Sequence, residues 1–569
     1  MATAMKKTGN LLQKHFDTAL ESPDGIKKLR ELILTLAMQG KLVPQDPTDP
    51  PASELLKEIQ TEKEKLIAEG KIKKQKALPE IKPEEVPYAV PEGWVWTRLN
   101  DSIDVRDGTH DSPKYVMDIN SYPLVTSKDF KNGEIDFSAT KRISPEDHKK
   151  IIQRSLVEKK DILFSMIGGN LGNQVLVNID AEFSIKNVAL LKYYSKEHTF
   201  PLYVKKFTEY LALDLQQKAI GGAQPFVSLG FLRNSLFPLP PLAEQKRIVG
   251  KIDELMALCD KLEEQRASRG QKCLAVHTSA INRLLTAADK NEFHTSWQFI
   301  TRHFDPIYSV KENVAELKKA ILTLAMQGKL VPQDPNDQPA SELLKEIQAE
   351  KEKLIAEGKI KKQKALPEIK PEEVPYAVPE GWIWTRLNDA IDVRDGTHDT
   401  PKYVDKGYPL ITSKNLYTGI LSFDDVKFIS KDDHLKIMER SYVENGDILF
   451  AMIGSIGNPV IIETDKEFSI KNVALFKFYK IQKPNNRFIH LFLKYSQERM
   501  KSISSGAVQS FVSLGFLRNY LLPLPPLAEQ KRIVTRTDEL MTLCDKLESQ
   551  IDQATQKQTA LFNAVLAQV

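Results

Sequence analysis

The sequence predicts an α+β protein, two mainly β domains carried on a frame of long helices, and three observations predict it. Residues 33–116 recur at 321–404 with a shift of 288 (321 − 33), differing only at Thr48/Asn336, Pro50/Gln338, Thr61/Ala349, Val95/Ile383, Ser102/Ala390 and Ser112/Thr400. Residues 238–263 recur at 523–548 with a shift of 285 (523 − 238). Between these blocks lie two divergent middles of short apolar runs broken by Gly, Asn and Asp. A frame kept twice around middles that vary suits a protein that reads two related, non-identical things, so function is sought in the middles.

Each copy opens with an amphipathic helix: Ile26, Leu29, Ile33 and Leu36, then Val314, Leu317, Ile321 and Leu324, are spaced 3, 4, 3 before Gly40 or Gly328. A charged arm follows, helix-forming in its first half and interrupted by Pro79, Pro83 and Pro87 in its second. It reads as a solvated helix and an extended strap, whose lysines alternate with acids as on a wetted surface. The middles begin at Trp94 and Trp96, spaced as same-face strand residues, and contain runs such as DILFSMIG and DILFAMIG. At PLPPLAEQ the prolines stop the strand and a long helix starts. Ile248, Ile252, Leu255, Cys259 and Leu262, with Ile533, Thr537, Leu540, Cys544 and Leu547, run at spacing 4, 3, 4, 3, a coiled-coil seam with one polar interruption. From Leu242 to Ser268 such a helix would span about 40 Å, comparable to the roughly 34 Å of one DNA turn. The expected parts are therefore 1–90, helix and arm; 91–238, first middle domain; 239–378, central helices and second arm; 379–523, second middle domain; and 524–569, the closing helix.

Composition bounds the class. A chain of 569 residues, 41% hydrophobic and 27% charged, can bury several cores, and 80 Lys and Arg against 76 Asp and Glu give a net charge of +4, which neither requires nor excludes nucleic acid. No stretch approaches the roughly 18 apolar residues of a membrane span, so a cytoplasmic protein is expected. Three cysteines argue against a disulfide framework, and Cys259 and Cys544 fall in the helical stripe as buried thiols. Chemistry is not signalled. The Gly-Lys pairs at Gly40, Gly70, Gly328 and Gly358 precede Leu or Ile, so no phosphate-cradling loop is formed. Asp49-Pro50-Pro51-Ala52 lacks the aromatic residue of an adenine methyltransferase and is lost in the second copy at Gln338. No G-x-S-x-G elbow and no zinc-ligand spacing occur.

The blocks PEGWVWTRL, DVRDGTHDSPKY and GGAQPFVSLGFLRNSLFPLPPLAEQKRIV, with their second copies, resemble the DNA specificity subunit of type I restriction-modification enzymes, and the long arms resemble its larger-subunit branch. The resemblance covers most of the chain. It implies two target recognition domains joined by long antiparallel coiled-coil helices in a pseudo-two-fold arrangement. It implies no catalysis on this chain, which would read a split, asymmetric target in double-stranded DNA. Two methyltransferase subunits that modify adenine with S-adenosylmethionine, and restriction/translocase subunits using ATP and Mg, are its implied partners.

Comparison of the copies supplies the DNA-binding candidates. Side chains kept in both middles build the fold, touch phosphate or read a base common to both half-sites, Lys186, Gln224 and Ser228 suiting a base edge and a fold hydrogen bond equally, and those that differ discriminate bases. Kept are Arg106, Thr109 and His110, matching Arg394, Thr397 and His398; Ser127 and Lys128, matching Ser413 and Lys414; Lys186, matching Lys471; and Gln224 and Ser228, matching Gln509 and Ser513. Divergent are Lys131 and Asn132 against Tyr417 and Thr418, and Asn170, in a loop one residue longer than its counterpart. Ile248, Ile252, Leu255, Leu262, Ile533, Leu540 and Leu547 are expected to serve as spacer and partner-binding residues. No metal ligand is expected.

Overall fold

The computed structural model describes residues 22–218, 226–417, 419–479, 484–504 and 511–566. The chain divides into two compact units, Met1–Arg269 with Ala554–Val569, and Gly270–Gln553.

In the first unit the opening helix Gly25–Met38 buries Ile26, Leu32, Ile33, Leu34, Ala37 and Met38. It ends at Gly40, whose positive φ of 67° and contact with Pro91, 2.4 Å from where a Cβ would stand, leave no room for another residue. The arm helix Ala52–Ala68 is not wholly solvated, as its charge had suggested: Ala52, Leu55 and Ile59 are buried. Three apolar residues at spacing 3 and 4 are enough to dock one face even where lysine and glutamate dominate the composition. The strap beyond it is pinned by Arg98, which donates to the carbonyls of Pro79, Glu80 and Asn234 and pairs with Glu85 at 3.0 Å.

The recognition domain is built on an antiparallel sheet ordered Ile103–Asp107, Val188–Tyr193, Ile162–Ser165, Gln174–Leu176. Its strands are apolar on both faces because both are covered. Ile162, Phe164, Ala189 and Leu191 enter the main core, and Leu163, Val188 and Leu190 enter a smaller one with Val125 and Ile185. A smaller sheet sets Tyr122–Val125 antiparallel to Arg142–Ile143 and parallel to Ser184–Ile185. Val95–Arg98 pairs with Leu236–Leu239, so Pro238 lies within a two-stranded edge pair and the long helix follows at Leu242. The second unit repeats this plan, its sheet ordered Asp392–Asp395, Val473–Lys477, Ile448–Ala451, Gly457–Ile461.

The long helices exceed the expected length. Leu242–Thr286 has 45 residues and Leu527–Leu566 has 40, about 68 and 60 Å at 1.5 Å per residue. The first continues through Gly270, where a Cβ would meet nothing within 4 Å and no close packing requires glycine. In the first unit Arg30 pairs with Asp260 at 2.7 Å and Glu263 at 3.0 Å, while Arg266 donates to the Ser22 carbonyl. Ser22 Oγ also meets Thr559 Oγ1 at 3.2 Å, and Lys28 donates to Asn563. In the second unit Lys318 pairs with Asp545 and Glu548, and Lys311 with Asp552, while Cys273 meets the Pro306 carbonyl and Lys329 that of Leu285. Within each unit these registers set the two long helices antiparallel.

The seam residues require a correction. Ile248 and Ile252 are fully buried in the first unit's main core and Ile533 in the second's; Leu255, Leu262, Leu540 and Leu547 pack partly buried against cores of this chain. The three isoleucines have no surface to offer a partner subunit, so their part is internal packing. Cys259 and Cys544 are buried free thiols.

Candidate nucleic-acid interface

The strand Ile103–Asp107 delivers Arg106 and Asp107 to the edge of the first recognition domain, where Gly108 turns the chain against Ile185. A Cβ at Gly108 would stand 2.2 Å from the Ile185 carbonyl oxygen, so only glycine allows the crossing. The close approach lets Thr109 N–H donate to Ile185 and Asn187 N–H donate to the Thr109 carbonyl, at 3.0 and 3.1 Å. Asn187, at φ 54°, turns its side chain toward the loop. His110 is then held from two sides, Nδ1 at 3.0 Å from Asn187 Oδ1 and Nε2 at 2.9 Å from Asp107 Oδ2. Asp107 is buried, and its other oxygen pairs with Arg154, at the end of the helix Pro145–Ser155. Lys186 meets Ser112, and Arg106 pairs with Asp104 and reaches the Arg154 carbonyl.

The second domain rebuilds this cluster. His398 lies between Asn472 at 3.0 Å and Asp395 at 2.8 Å; Asp395 pairs with Arg440; Arg394 bonds Asp392 and Lys471 bonds Thr400. The bonds to Asn472 and Asp395 raise the His398 pKa above the usual imidazole value, because both oxygens accept a proton. Arg154 and Arg440, each about 60% exposed over a buried carboxylate, are cations that the sequence reading missed. The copies themselves held the signal: both middles carry arginine at the end of a short helix, 286 apart (440 − 154).

Thr109, His110 and Lys186 thus meet in one cluster, as do Thr397, His398 and Lys471. Thr109 and Lys186, and likewise Thr397 and Lys471, form isolated parallel bridges. A second cluster forms where Asn170 donates to the Ser127 carbonyl at 3.2 Å, with Lys128 exposed beside it. Lys131 and Asn132 belong to a hairpin, Phe130–Lys131 against Glu134–Ile135, turned by Asn132 and Gly133 at φ 52° and 78°. The second copy answers with a 3-10 turn, Ser413–Leu416, carrying exposed Lys414 and leading to Tyr417, which is 70% exposed. Ser228 and Ser513 cap short helices, accepting from Phe231 N–H and Phe516 N–H, which is the fold hydrogen bond that the sequence allows as readily as a base contact. Gln224, Thr418 and Gln509 lie outside the described residues.

The unequal shifts resolve into two loops. The offset falls from 288 at Val116/Val404 to 286 at Tyr122/Tyr408, so 117–121 is answered by 405–407. It falls again from 286 at Ile167/Ile453 to 285 at Gly172/Gly457. The frame and the cationic clusters are common to both domains; the loops beside them are not.

Two recognition domains of this kind, each with a cationic edge and divergent loops on a repeated frame, define a DNA sequence-specificity protein. The type I restriction modification DNA specificity domain matches residues 91–269 and 379–556, and the chain belongs to that family of specificity subunits, which recognise DNA within a larger complex and are not themselves enzymes. It is 36% identical to the type I restriction enzyme EcoAI specificity subunit of Escherichia coli, over 95% of this chain and 93% of that one. It is 32% identical to the EcoEI specificity subunit of Escherichia coli over the same shares. Among solved structures, the HsdS subunit from Thermoanaerobacter tengcongensis is 17% identical with a TM-score of 0.39, covering 84% of this chain and 98% of that one. Among the described residues no helix is long and apolar enough to cross a membrane.

Proposed function

We propose that each recognition domain reads one half of a split, asymmetric target, that the helical frame sets the gap, and that the repeated frame seats two methyltransferase subunits. S-adenosylmethionine on those subunits, and ATP and Mg on restriction/translocase subunits, would supply the chemistry, in the cytoplasm. One observation carries the reading. The same cluster, an imidazole and an arginine on a buried aspartate, occurs in both domains, beside loops that differ in length and sequence. Shared cations suit phosphate, which every half-site presents, and divergent loops suit base edges, which differ. Arg106, Arg154, Lys186, Arg394, Arg440 and Lys471 are the phosphate candidates; Lys131, Asn132, Asn170 and Tyr417 are the base-reading candidates.

The test is to map methylated adenines in cells carrying the complete system. A split motif is expected, with one half replaced when residues 91–238 are exchanged for those of another specificity subunit; a continuous motif, or one indifferent to the exchange, refutes the reading. The spacer role is tested by removing four residues within 264–270, an exposed stretch, and expecting a changed gap with both half-sites kept. A deletion at Lys251–Met256 would instead break the first core at Ile252.

A further inference from the structure

Met117 and Ile119 are the two most exposed large apolar side chains among the described residues, at 106% and 94% of full exposure. They stand on an ordered loop. The Asp118 carboxylate accepts from Asn120 N–H at 3.1 Å, and its carbonyl accepts from Ser121 N–H. Arg142 clamps the far end, donating from Nε to Ser121 Oγ at 2.8 Å and from its guanidinium to the Ser121 carbonyl. At the near end Val116 N–H donates to the Arg142 carbonyl and Tyr115 bridges Ile143. Both apolar side chains are thereby presented to water, an arrangement that lacks the stabilisation of burial unless something covers them.

Two features identify the cover. Exposed cations ring the base of the loop: Lys114, Arg142 and Lys141, whose ammonium sits 4.4 Å over the Tyr115 ring. The loop also varies with the reader and not with the frame. The second copy replaces 117–121 by the three residues Asp405, Lys406 and Gly407, a tight turn in which a Cβ at Gly407 would stand 2.2 Å from the Ile429 carbonyl oxygen. A surface for a subunit that docks on both copies has no reason to differ in this way; a surface for one half-site does.

We infer that Met117 and Ile119 form an apolar finger of the first recognition domain that reads a thymine methyl group in its half-site. The inference rests on the two-reader function proposed above. Thymine alone offers an apolar group at the major-groove edge, and Lys114, Lys141 and Arg142 stand where flanking phosphates would be met. At the corresponding turn, 405–407, the second domain carries no apolar side chain, so it discriminates its bases by other residues.

The test uses the assembled methyltransferase and duplexes carrying its mapped motif. The double variant M117S/I119S should methylate the original motif roughly tenfold more slowly, with relaxed discrimination at one position of one half-site only. Deoxyuridine in place of the thymine at that position should slow the unaltered complex about fourfold, the effect of one lost methyl contact, and leave the double variant unaffected. A variant in which residues 117–121 are replaced by the 405–407 sequence should show the same confined loss, and melting of each variant reports its folding. Unchanged methylation by a folded double variant overturns the inference, as does confined loss without any deoxyuridine effect, which makes the finger a wedge between base pairs. Failure of the double variant to assemble with its partner subunits also overturns it, making the loop a protein contact. If the motif is not split, it is the two-reader function that has failed.

Discussion

Replacing Asp107 by Asn separates two accounts of the cationic edge. The carboxylate is 7% exposed and holds Arg154 and His110, whose side chains are 62% and 55% exposed. A hydrogen bond to a charged group contributes roughly 1.5–3 kcal/mol net, but solvent around both partners screens it, so about 1–2 kcal/mol is expected for the pair. The first unit should then melt roughly 2–4 °C lower. If the cluster works by fixing the positions of its arginine and imidazole, methylation of the cognate motif falls about five- to thirtyfold. Simple electrostatics predicts the opposite, because losing a negative charge strengthens attraction to phosphate. The assay compares methylation of the motif with binding to a scrambled duplex at fixed salt. Specific activity should fall while non-specific binding holds or rises; a parallel fall in both, or no fall in either, would refute positioning. Asp395→Asn should repeat the result through the other half-site, and the two losses should add within about 0.5 kcal/mol, since the sites lie in separate units.

Gly108→Ala and Gly396→Ala each force a methyl group onto a carbonyl oxygen, of Ile185 or Ile470, at 2.2 Å, and should destabilise the affected unit by roughly 1–3 kcal/mol in chemical denaturation. Gly133→Ala strains a hairpin turn held at φ 78° by about 1 kcal/mol and should slow methylation through the first half-site alone, read by substituting bases one half-site at a time. Arg98→Ala removes the anchor that holds the strap at the Pro79 and Glu80 carbonyls and at Glu85, so limited proteolysis should begin to cut within 71–91. Burial pushes the His490 imidazole down to about 4 from 6.5, so between those values the unfolded chain takes up a proton that the folded one refuses. Its contribution is intact above pH 6.5 and is lost as pH falls toward 4, by up to about 3 kcal/mol. His490→Gln should flatten that acid limb of the unfolding curve, and an unchanged limb would show that other groups set it. His398, shifted upward, acts oppositely, stabilising below pH 6.5 and ceasing to as pH rises through its folded value.

Much of the fold could be read because a repeat supplies its own comparison. Apolar spacing placed the opening helices, and runs such as DILFSMIG became strands buried on both faces. Two errors have physical causes. The long helix runs on past Ser268 to Thr286, because helix propensity is a weak local preference and a 45-residue helix tolerates the glycine at 270. The arm's lysines hid Leu55 and Ile59, whose burial takes only a narrow stripe. Of the candidate site, the grouping of the Thr109–His110 loop with Lys186 is legible because glycine and polar residues recur together in both copies. Arg154 is not, since a helix nearly fifty positions downstream meets Asp107 only through the sheet's crossovers. Ser228 stays open between base contact and a fold hydrogen bond on sequence alone, because a capping hydroxyl and a base-reading one look alike there, and the structure shows the cap.

The first unit includes Thr559, Phe562 and Asn563, with Phe562 buried to 2% exposure, although the residues they join were synthesised long before. The 284 intervening residues (553 − 269) take roughly 15–60 s to translate. During that interval the upstream half carries an unfilled seat on its helical base, whereas the downstream half, being continuous in sequence, is assembled in a single passage. Two halves built on one repeated frame therefore mature on different schedules, the upstream half waiting for its last segment while the ribosome is still at work.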